Sequence, residues 1–429
     1  MKLVILKQYS SLDLRLFKYY YMSNTTVNNK RQSKYSNSKR PRVQNSNNRN
    51  RNNARPAKKV STLDPSLLVK EADHSVVDKV FRSERLVNEL PIDNKLKQAL
   101  ASKGYKRPTE IQDRTLESLL NGRDILGIAQ TGTGKTGAFL IPIIEHLLHN
   151  RVNPYALVVV PTRELALQVE DEFKSMAKGL GLYSSCFIGG TNINRDLQTL
   201  RRNSHVVIAT PGRLLDLSDR GAIKLNKFST LVLDEFDRML DMGFIRDVNR
   251  ILDGMKLRKH TMLFSATLDK SQQSMINNIL KNHVTVKVSA GNSSGDSIDQ
   301  EVIRMKPGED KFVVLKKMLN QNDFDKVLLF EETKHRVSRL CVKLNKAGIA
   351  SEQIHGNKSQ NARQNALKAF KQGKVKVLVA TDVAARGLDI TDVSHVINYQ
   401  VPQTHDSYIH RIGRTGRAGK VGKAYTFVA

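Results

Sequence analysis

The chain has 429 residues, enough for two or three ordinary domains, and a formal net charge of +29. The basic excess is uneven: residues 1–60 hold 15 Lys/Arg against the single acid Asp13, and the remainder holds 55 against 40. That balance points to a polyanionic partner, nucleic acid ahead of membrane, and no run approaches the roughly 18–20 apolar residues that a spanning helix needs.

In chain order, Leu3-Val4-Ile5-Leu6 is too short for a signal-peptide core. Residues 1–22 are basic and acid-poor, which also suits a transit peptide, and Met22 reads as an alternative start. From Ser23 to Lys59 the chain is Asn-, Ser-, Lys- and Arg-rich with almost no large apolar residue. Such a segment cannot bury enough surface to offset chain entropy, so residues 1–60 are expected to be a disordered basic tail. It either holds RNA through phosphates without reading sequence or serves as a plain linker. Cys186 and Cys341 match no metal spacing and fit a reducing, cytoplasmic setting.

Asp124–Ala129 reads as a strand, followed by Gln130-Thr131-Gly132-Thr133-Gly134-Lys135-Thr136 and an apolar-periodic helix over Gly137–Leu148. Strand, glycine loop and helix together are the context of a phosphate-binding loop. Glycines let backbone N–H groups turn inward around phosphate oxygens, and the helix N-terminus adds its dipole. Lys135 supplies charge at the β/γ-phosphates, and the Thr136 hydroxyl suits Mg²⁺. Ala129 stands where the loop usually has its first glycine.

Leu231-Val232-Leu233 reads as a buried parallel strand that releases Asp234, Glu235 and Asp237 at its carboxyl end. Taken alone, the acids are either a solvated turn or a site for a hard cation and an activated water. Beside the phosphate loop, Asp234 suits Mg²⁺ and Glu235 suits orienting the water that attacks a nucleoside triphosphate.

The remaining motifs narrow the class. They are Gly104-Tyr105-Lys106-Arg107-Pro108-Thr109-Glu110-Ile111-Gln112, Pro161-Thr162-Arg163-Glu164-Leu165, Gly189-Gly190, Thr210-Pro211-Gly212-Arg213 and Ser265-Ala266-Thr267. Downstream lie Gln360-Asn361-Ala362-Arg363, Ala380-Thr381-Asp382 running on to Gly387-Leu388-Asp389, and His410-Arg411-Ile412-Gly413-Arg414-Thr415-Gly416-Arg417. In this order and spacing they resemble the DEAD-box RNA helicases over roughly residues 87–429.

The resemblance implies two tandem RecA-like α/β domains, each a parallel sheet flanked by helices, with ATP and RNA bound across the cleft. Residues 61–288 are expected to form the first domain, 289–297 a small polar linker, and 298–429 the second domain. Strand-like runs at Val327–Phe330, Val375–Ala380 and His395–Asn398 support a second parallel sheet. Val206–Thr210 and Val377–Thr381 are a faint internal echo, each a strand ending in threonine.

The same resemblance assigns roles. Gln112 reads the adenine edge, making ATP the nucleotide, with Tyr105, Thr109, Gly387 and the ribose-holding Asp389 around it. Ser265 and Thr267 couple Asp237 to closure of the domains, and His410 meets the acidic motif. Arg414 and Arg417 meet the γ-phosphate, where planar guanidinium stabilises spreading charge. Pro161, Thr162, Arg163, Gly190, Thr210, Pro211, Gly212, Arg213, Arg363 and Thr381 face RNA. These are hydroxyls, amides and arginines suited to phosphates and 2′-hydroxyls rather than base edges. RNA, single-stranded or a short duplex, is the implied partner, with ribonucleoprotein partners and a monomeric chain. Two positions depart from the pattern: Val87 replaces an adenine-stacking aromatic, and Phe236 replaces alanine in the acidic motif. A clamp that grips RNA without unwinding and a DNA helicase are the rival readings.

Overall fold

The computed structural model describes residues 63–72, 81, 83–130, 132–152, 155–288, 297–385, 390, 393–416 and 421–428. The basic tail and most of the expected linker lie outside these residues, as do Thr131, Gly387, Asp389 and Arg417.

Two parallel sheets organise the chain. The first contains β1 (Ile125–Ile128), β2 (Ala156–Val159), β3 (Ser184–Phe187), β4 (Val206–Ala209), β5 (Thr230–Leu233), β6 (His260–Ser265) and β7 (Val284–Lys287). Their order is β3-β4-β2-β5-β6-β1-β7. The second contains β8 (Ile298–Arg304), β9 (Val327–Phe330), β10 (Ser351–Ile354), β11 (Val377–Ala380), β12 (His395–Asn398) and β13 (Gly422–Val428), ordered β10-β11-β9-β12-β13-β8.

The apolar runs follow from burial on both faces. In β2, Ala156 and Val158 enter one core while Leu157 and Val159 enter another. In β9, Leu328 and Phe330 face one core of the second sheet, and Val327 and Leu329 face the other. A strand covered on both sides has no polar face to alternate with, so periodicity disappears and only a short apolar run remains. The expected strands at 327–330 and 395–398 are met residue for residue, and β11 begins at Val377, two residues later than expected. The helix after the glycine loop runs from Lys135 to His149, starting two residues before the expected Gly137.

One segment departs from the expected division. Residues 63–72, assigned from sequence to the first domain, pack on the second sheet. A 3₁₀ turn, Pro65–Leu68, is capped by Asp64, whose Oδ1 accepts from the Ser66 amide at 2.9 Å. Leu68 is fully buried in a core with Ile298, Tyr408 and Ile412. Lys70 then pairs antiparallel with Gln300 on β8. Burying one leucine is worth about 2 kcal/mol, enough for a short segment to follow its apolar anchor rather than its neighbours in sequence.

Candidate nucleotide and RNA site

All described residues fall in one compact unit, Lys59–Ala429, so contacts between the two sheet domains belong to its structure. In the first sheet β5, β6 and β1 are adjacent, which brings the acidic strand end, the Ser265 loop and the glycine loop side by side.

Gly134 adopts φ +96°, open to glycine, and a Cβ there would meet Thr109 Oγ1 at 2.5 Å. The loop is pinned from the other side by Gln112. Its Oε1 accepts from the Thr109 amide at 3.0 Å, and its Nε2 donates to the Gly134 carbonyl at 3.0 Å. Lys135, buried, donates through Nζ to the Ala129 carbonyl at 2.7 Å, and Thr133 Oγ1 donates to the Gln130 carbonyl at 2.7 Å. Thr136 is the second residue of the helix that follows. Gln112 also lines a small pocket with Val87, Tyr105, Pro108 and Gly137. The Tyr105 hydroxyl is turned to Glu172 Oε1 at 3.0 Å, and Phe81, 46% exposed, does not line the pocket.

Asp234 and Glu235 are buried at the end of β5. Burial pushes the Asp234 carboxyl up to about 6; Glu235 and Asp237 add to the rise while Lys135 opposes it. Once ionised, Asp234 offers the oxygen ligand that a hard cation takes, while no group of three or more His, Cys, Asp or Glu among the described residues is placed to hold a metal ion by itself. Glu235 behaves differently. Burial works to raise it, but Arg238 and Lys135 outweigh that and hold it below its ordinary value, with help from Arg414 of the second domain. Arg238 Nη1 donates to Glu235 Oε2 at 2.6 Å, and its Nη2 reaches the Val383 carbonyl of the second domain at 3.5 Å. Glu235 also sits at φ 53°, ψ 52°, a left-handed conformation that costs a non-glycine residue about 1–2 kcal/mol. The sharp turn aims its carboxylate away from the strand and starts the helix Phe236–Asp241. Phe236 itself is fully buried in the core that holds Leu231, Leu233 and Met239.

Asp237 is tied to the loop after β6. Its Oδ2 accepts from the Ala266 amide at 3.1 Å, the Thr267 amide at 3.0 Å and Thr267 Oγ1 at 3.1 Å. Ser265 Oγ accepts from the Asp237 amide at 3.3 Å and donates to the Thr267 carbonyl at 2.7 Å.

In the second domain His410 lies in the last turn of the helix His405–Ile412, and buried Arg414 follows. Arg411 holds this helix in place. Its Nε and Nη2 donate to the two oxygens of Asp382 at 2.6 and 2.7 Å, and Nη1 donates to Asn398 Oδ1 at 3.1 Å. The sequence reading had given neither Arg411 nor Asp382 a role, although both lie inside its motifs.

The residues assigned to RNA divide. Thr162 caps the helix Arg163–Met176, and Thr210 precedes the helix Pro211–Asp219, with Pro211 at its first position. Gly212 has nothing within 4 Å of a notional Cβ, while Pro161 is buried at the end of the same strand as Thr162. Gly190, at φ +81°, is in the left-handed region that favours glycine, and the Arg163 guanidinium lies against it, 2.6 Å from where a Cβ would stand. Thr381 directly follows β11, its carbonyl accepting from the Ala384 amide at 3.0 Å.

Two of the arginines assigned to RNA are held by carboxylates in this structure. Arg213 pairs with Asp196, and its Nη2 donates to the Thr191 carbonyl at 2.8 Å. Arg363 Nη2 lies 2.9 Å from Glu164 Oε2 of the first domain, both side chains under 10% exposed, and Gln360 Nε2 donates to Glu164 Oε1 at 3.1 Å. A guanidinium removed from water takes the nearest carboxylate, and here that carboxylate belongs to the other domain. Glu164, Gln360 and Arg238 are thus cross-domain residues that the sequence reading missed. Glu164 and Gln360 are polar side chains inside the quoted motifs and Arg238 directly follows the acidic stretch, but only tertiary placement joins them to the opposite domain.

Residues 109–276 match the model of the DEAD/DEAH box helicase family, and residues 310–419 match the helicase conserved C-terminal domain. The chain is 42% identical over 342 residues to the DEAD-box ATP-dependent RNA helicase CshA of Streptococcus pneumoniae, covering 80% of this chain and 65% of that one. It is also 42% identical over 340 residues to the Geobacillus kaustophilus CshA, covering 79% and 73%. Among solved structures, the DEAD-box helicase Mss116 bound to ssRNA and UDP-BeF aligns with TM-score 0.73 and 33% identity over 81% of this chain and 76% of that one. Saccharomyces cerevisiae Dbp5 bound to RNA and ADP BeF3 aligns with TM-score 0.71 and 31% identity, covering 80% and 89%. Both helicase halves, the glycine loop, the acidic strand end and the arginine helix lie within the matched length, and this chain belongs to the DEAD-box ATP-dependent RNA helicase family.

Proposed function

We propose that this chain hydrolyses ATP to bind RNA without sequence preference and to open short duplexes or remodel RNA–protein complexes. The observation that carries the reading is electrostatic. Arg238, paired with Glu235 at 2.6 Å, also reaches the Val383 carbonyl of the second domain at 3.5 Å, and the Arg414 charge helps hold Glu235 ionised, so the acidic turn of the first domain meets the second. Lys135 and the loop amides bind the triphosphate, Gln112 with Tyr105 and Thr109 orients the base, and Glu235 takes the proton of the attacking water. Arg414 and Arg417 answer the charge that develops on the γ-phosphoryl. Thr136 and Asp234 would hold Mg²⁺, which when bound neutralises phosphate charge. Asp237, Ser265, Thr267 and His410 transmit closure.

ATP and RNA each bind the closed arrangement better than the open one, and this differential affinity does the mechanical work. Pro161, Thr162, Arg163, Gly190, Thr210, Pro211, Gly212, Arg213 and Thr381 line the RNA side, Arg213 by fixing the loop at Thr191. Arg363 serves closure as well as RNA. Val87 in place of an aromatic weakens selection of the base more than binding of the phosphates. No helix among the described residues is long and apolar enough to cross a membrane. The two free cysteines accord with a reducing, cytoplasmic location, and a monomer acting on ribonucleoprotein substrates completes the proposal.

A second reading, an ATP-gated clamp, has its own support. The buried Glu164–Arg363 pair must part for the cleft to open, and leaving one partner buried alone is costly, which favours a long grip. RNA-stimulated ATPase of the Lys135→Ala variant tests the catalytic assignment: loss is expected, and undiminished stimulation overturns it. Separation of a short RNA duplex with ATP, against a non-hydrolysable analogue, distinguishes a helicase from a clamp.

A further inference from the structure

Every pairing in the first sheet is parallel, so its strands begin at one end of the domain and finish at the other. The glycine loop, Thr162, Gly190, Thr210, the acidic turn and Ser265 all lie at the carboxyl end. The opposite end has a charge of its own. Seven segments between a helix and a strand lie there: 121–124, 150–152, 177–183, 200–205, 220–229, 255–259 and 280–283. Together they hold twelve Lys/Arg and one acid, Asp124, a net charge of +11. Residues 61–429 as a whole carry +15, from 55 basic and 40 acidic side chains, so most of that excess sits on one rim. The segments before β9, β10 and β11 of the second sheet, 320–326, 347–350 and 372–376, hold only three lysines against two aspartates.

Asp124 does not reach the surface: it is buried, with Oδ1 accepting from the Thr261 amide and Oδ2 from the Lys281 amide, both at 2.7 Å. Arg220 pairs with Asp216 at 2.8 Å, and none of the other eleven cations has an ion pair among the described residues. Complementing the helix dipole does not account for them either. That attraction falls off within the last turn of a helix. The last turns of Glu110–Leu120, Ile193–Thr199, Pro211–Asp219, Ile245–Gly254 and Lys270–Ile279 contain no basic residue. The cations lie past them, in the loops. An aromatic platform stands among these loops. Tyr183, just before β3, is 62% exposed and stacks on His205, just before β4, with ring centroids 6.0 Å apart. Arg151 joins the same loop, donating through Nη2 to the Leu180 carbonyl at 3.2 Å.

We propose that the amino-terminal end of the first sheet is a second RNA-binding surface, which holds a stretch of RNA outside the cleft by its phosphates and stacks a base on Tyr183. The inference rests on the reading that this chain binds RNA. Strands about 4.8 Å apart set the seven loops along a rim of about 29 Å, and four-residue strands keep that rim about 13 Å or more from the cleft end. A row of cations with no acid between them matches a polymer that repeats one negative charge per unit. Lysine and arginine on loops take phosphate oxygens without reading base edges, and an open ring among arginines accepts any base by stacking. All seven loops belong to one sheet. The surface is therefore complete without nucleotide, and its grip does not wait on closure of the cleft.

Two variants of the full-length chain test this. One combines Arg201→Gln, Arg202→Gln, Lys256→Gln and Lys259→Gln. A control of equal charge combines Lys316→Gln, Lys317→Gln, Lys346→Gln and Lys368→Gln on the second domain, and all eight side chains are exposed. Fluorescence anisotropy with a labelled single-stranded RNA of about thirty nucleotides, without ATP, reads affinity against salt. The first variant is expected to lose at least about tenfold in affinity at about 0.1 M salt. Its slope of log K against log salt should flatten by about 2 to 3, from roughly 0.7 per phosphate contact. The control should stay within about twofold of the parent. Tyr183→Ala should weaken binding about fivefold or more at an unchanged slope. Equal losses in the two charge variants would overturn the inference, because net charge alone would explain them, and so would an unchanged slope in the first. Parent-like affinity in Tyr183→Ala would overturn the assignment to RNA in favour of an acidic protein. Binding to phosphatidylglycerol vesicles that is lost in the first variant while its RNA affinity is kept would overturn it in favour of a membrane. None of these readouts uses ATP turnover. A parent chain without RNA-stimulated ATPase would sink the proposed function and leave this surface to be judged on its slope. A parent that binds RNA only with a non-hydrolysable ATP analogue would keep that function and overturn the surface.

Discussion

The two sheet domains are built on one plan and finished with opposite charge. Each is a parallel sheet with an apolar core on both faces. The first ends its strands in a glycine loop and the acids Asp234, Glu235 and Asp237. The second ends in Arg363, Arg411 and Arg414. On the proposed reading the first binds the phosphate chain, through backbone amides and Lys135. The second has no such loop among its described residues and contributes chiefly guanidinium groups. Shared architecture therefore says little about what each half does; the chemistry lies in which side chains the strand ends release.

Substitutions can break or sharpen this contrast. The largest effect is expected at Arg414, where Arg414→Ala should lower kcat about a thousandfold while leaving ATP affinity within a few-fold. Loss of affinity at unchanged kcat would mean that the second domain only closes the site. Next, Glu235→Gln should slow single-turnover hydrolysis by about a hundredfold or more, with ATP and RNA both retained in a binding assay. Multiple-turnover unwinding at the parent rate would remove Glu235 from the reaction. Phe236→Ala should cost about 3–4 kcal/mol of stability, measured by denaturant melting, because the ring is fully buried. Its ATPase should stay within about tenfold of the parent at a temperature where the variant is folded. A larger loss of activity would make Phe236 part of the catalytic surface rather than of the core beneath it.

The smallest effect is on the acid stability of the second domain. His395, stacked on Phe324 at 4.0 Å, is pushed down to about 4 by burial, against an ordinary 6.5. The unfolded chain takes up a proton there before the folded one, so stability falls as pH drops from 6.5 toward 4. His395→Asn should flatten that part of the stability–pH curve measured by fluorescence-detected melting, and an unchanged slope would assign the acid sensitivity elsewhere.

Much of this was legible in the sequence, and the reasons are local. A buried parallel strand is a short apolar run, so β5, β9 and β12 were visible, and loop chemistry marked what followed them. The turn at Gly134 also follows from loop chemistry, whereas the pairing of Asp237 with Ser265 and Thr267 is expected only from the family resemblance. Three things were not legible. Whether Arg363 faces RNA or Glu164 depends on a carboxylate nearly two hundred positions away. Arg213 likewise reads as a phosphate ligand until Asp196 is seen beside it. The third is the destination of Leu68. Leu67-Leu68-Val69 is too short an apolar run to carry a periodicity, and only the open edge of β8, supplied by residues far downstream, says where Leu68 belongs.

The position of β6 between β5 and β1 has one more consequence. The Ala129 amide donates to the Ser265 carbonyl at 2.9 Å, and the Ser265 hydroxyl accepts from the Asp237 amide at 3.3 Å. One residue therefore stands on both the phosphate loop and the acidic turn. On the proposed function, a displacement that begins at the glycine loop has a hydrogen-bonded route to the acidic turn through Ser265, and the backbone amides of Ala129 and Asp237 should then change their hydrogen-exchange rates together when nucleotide binds.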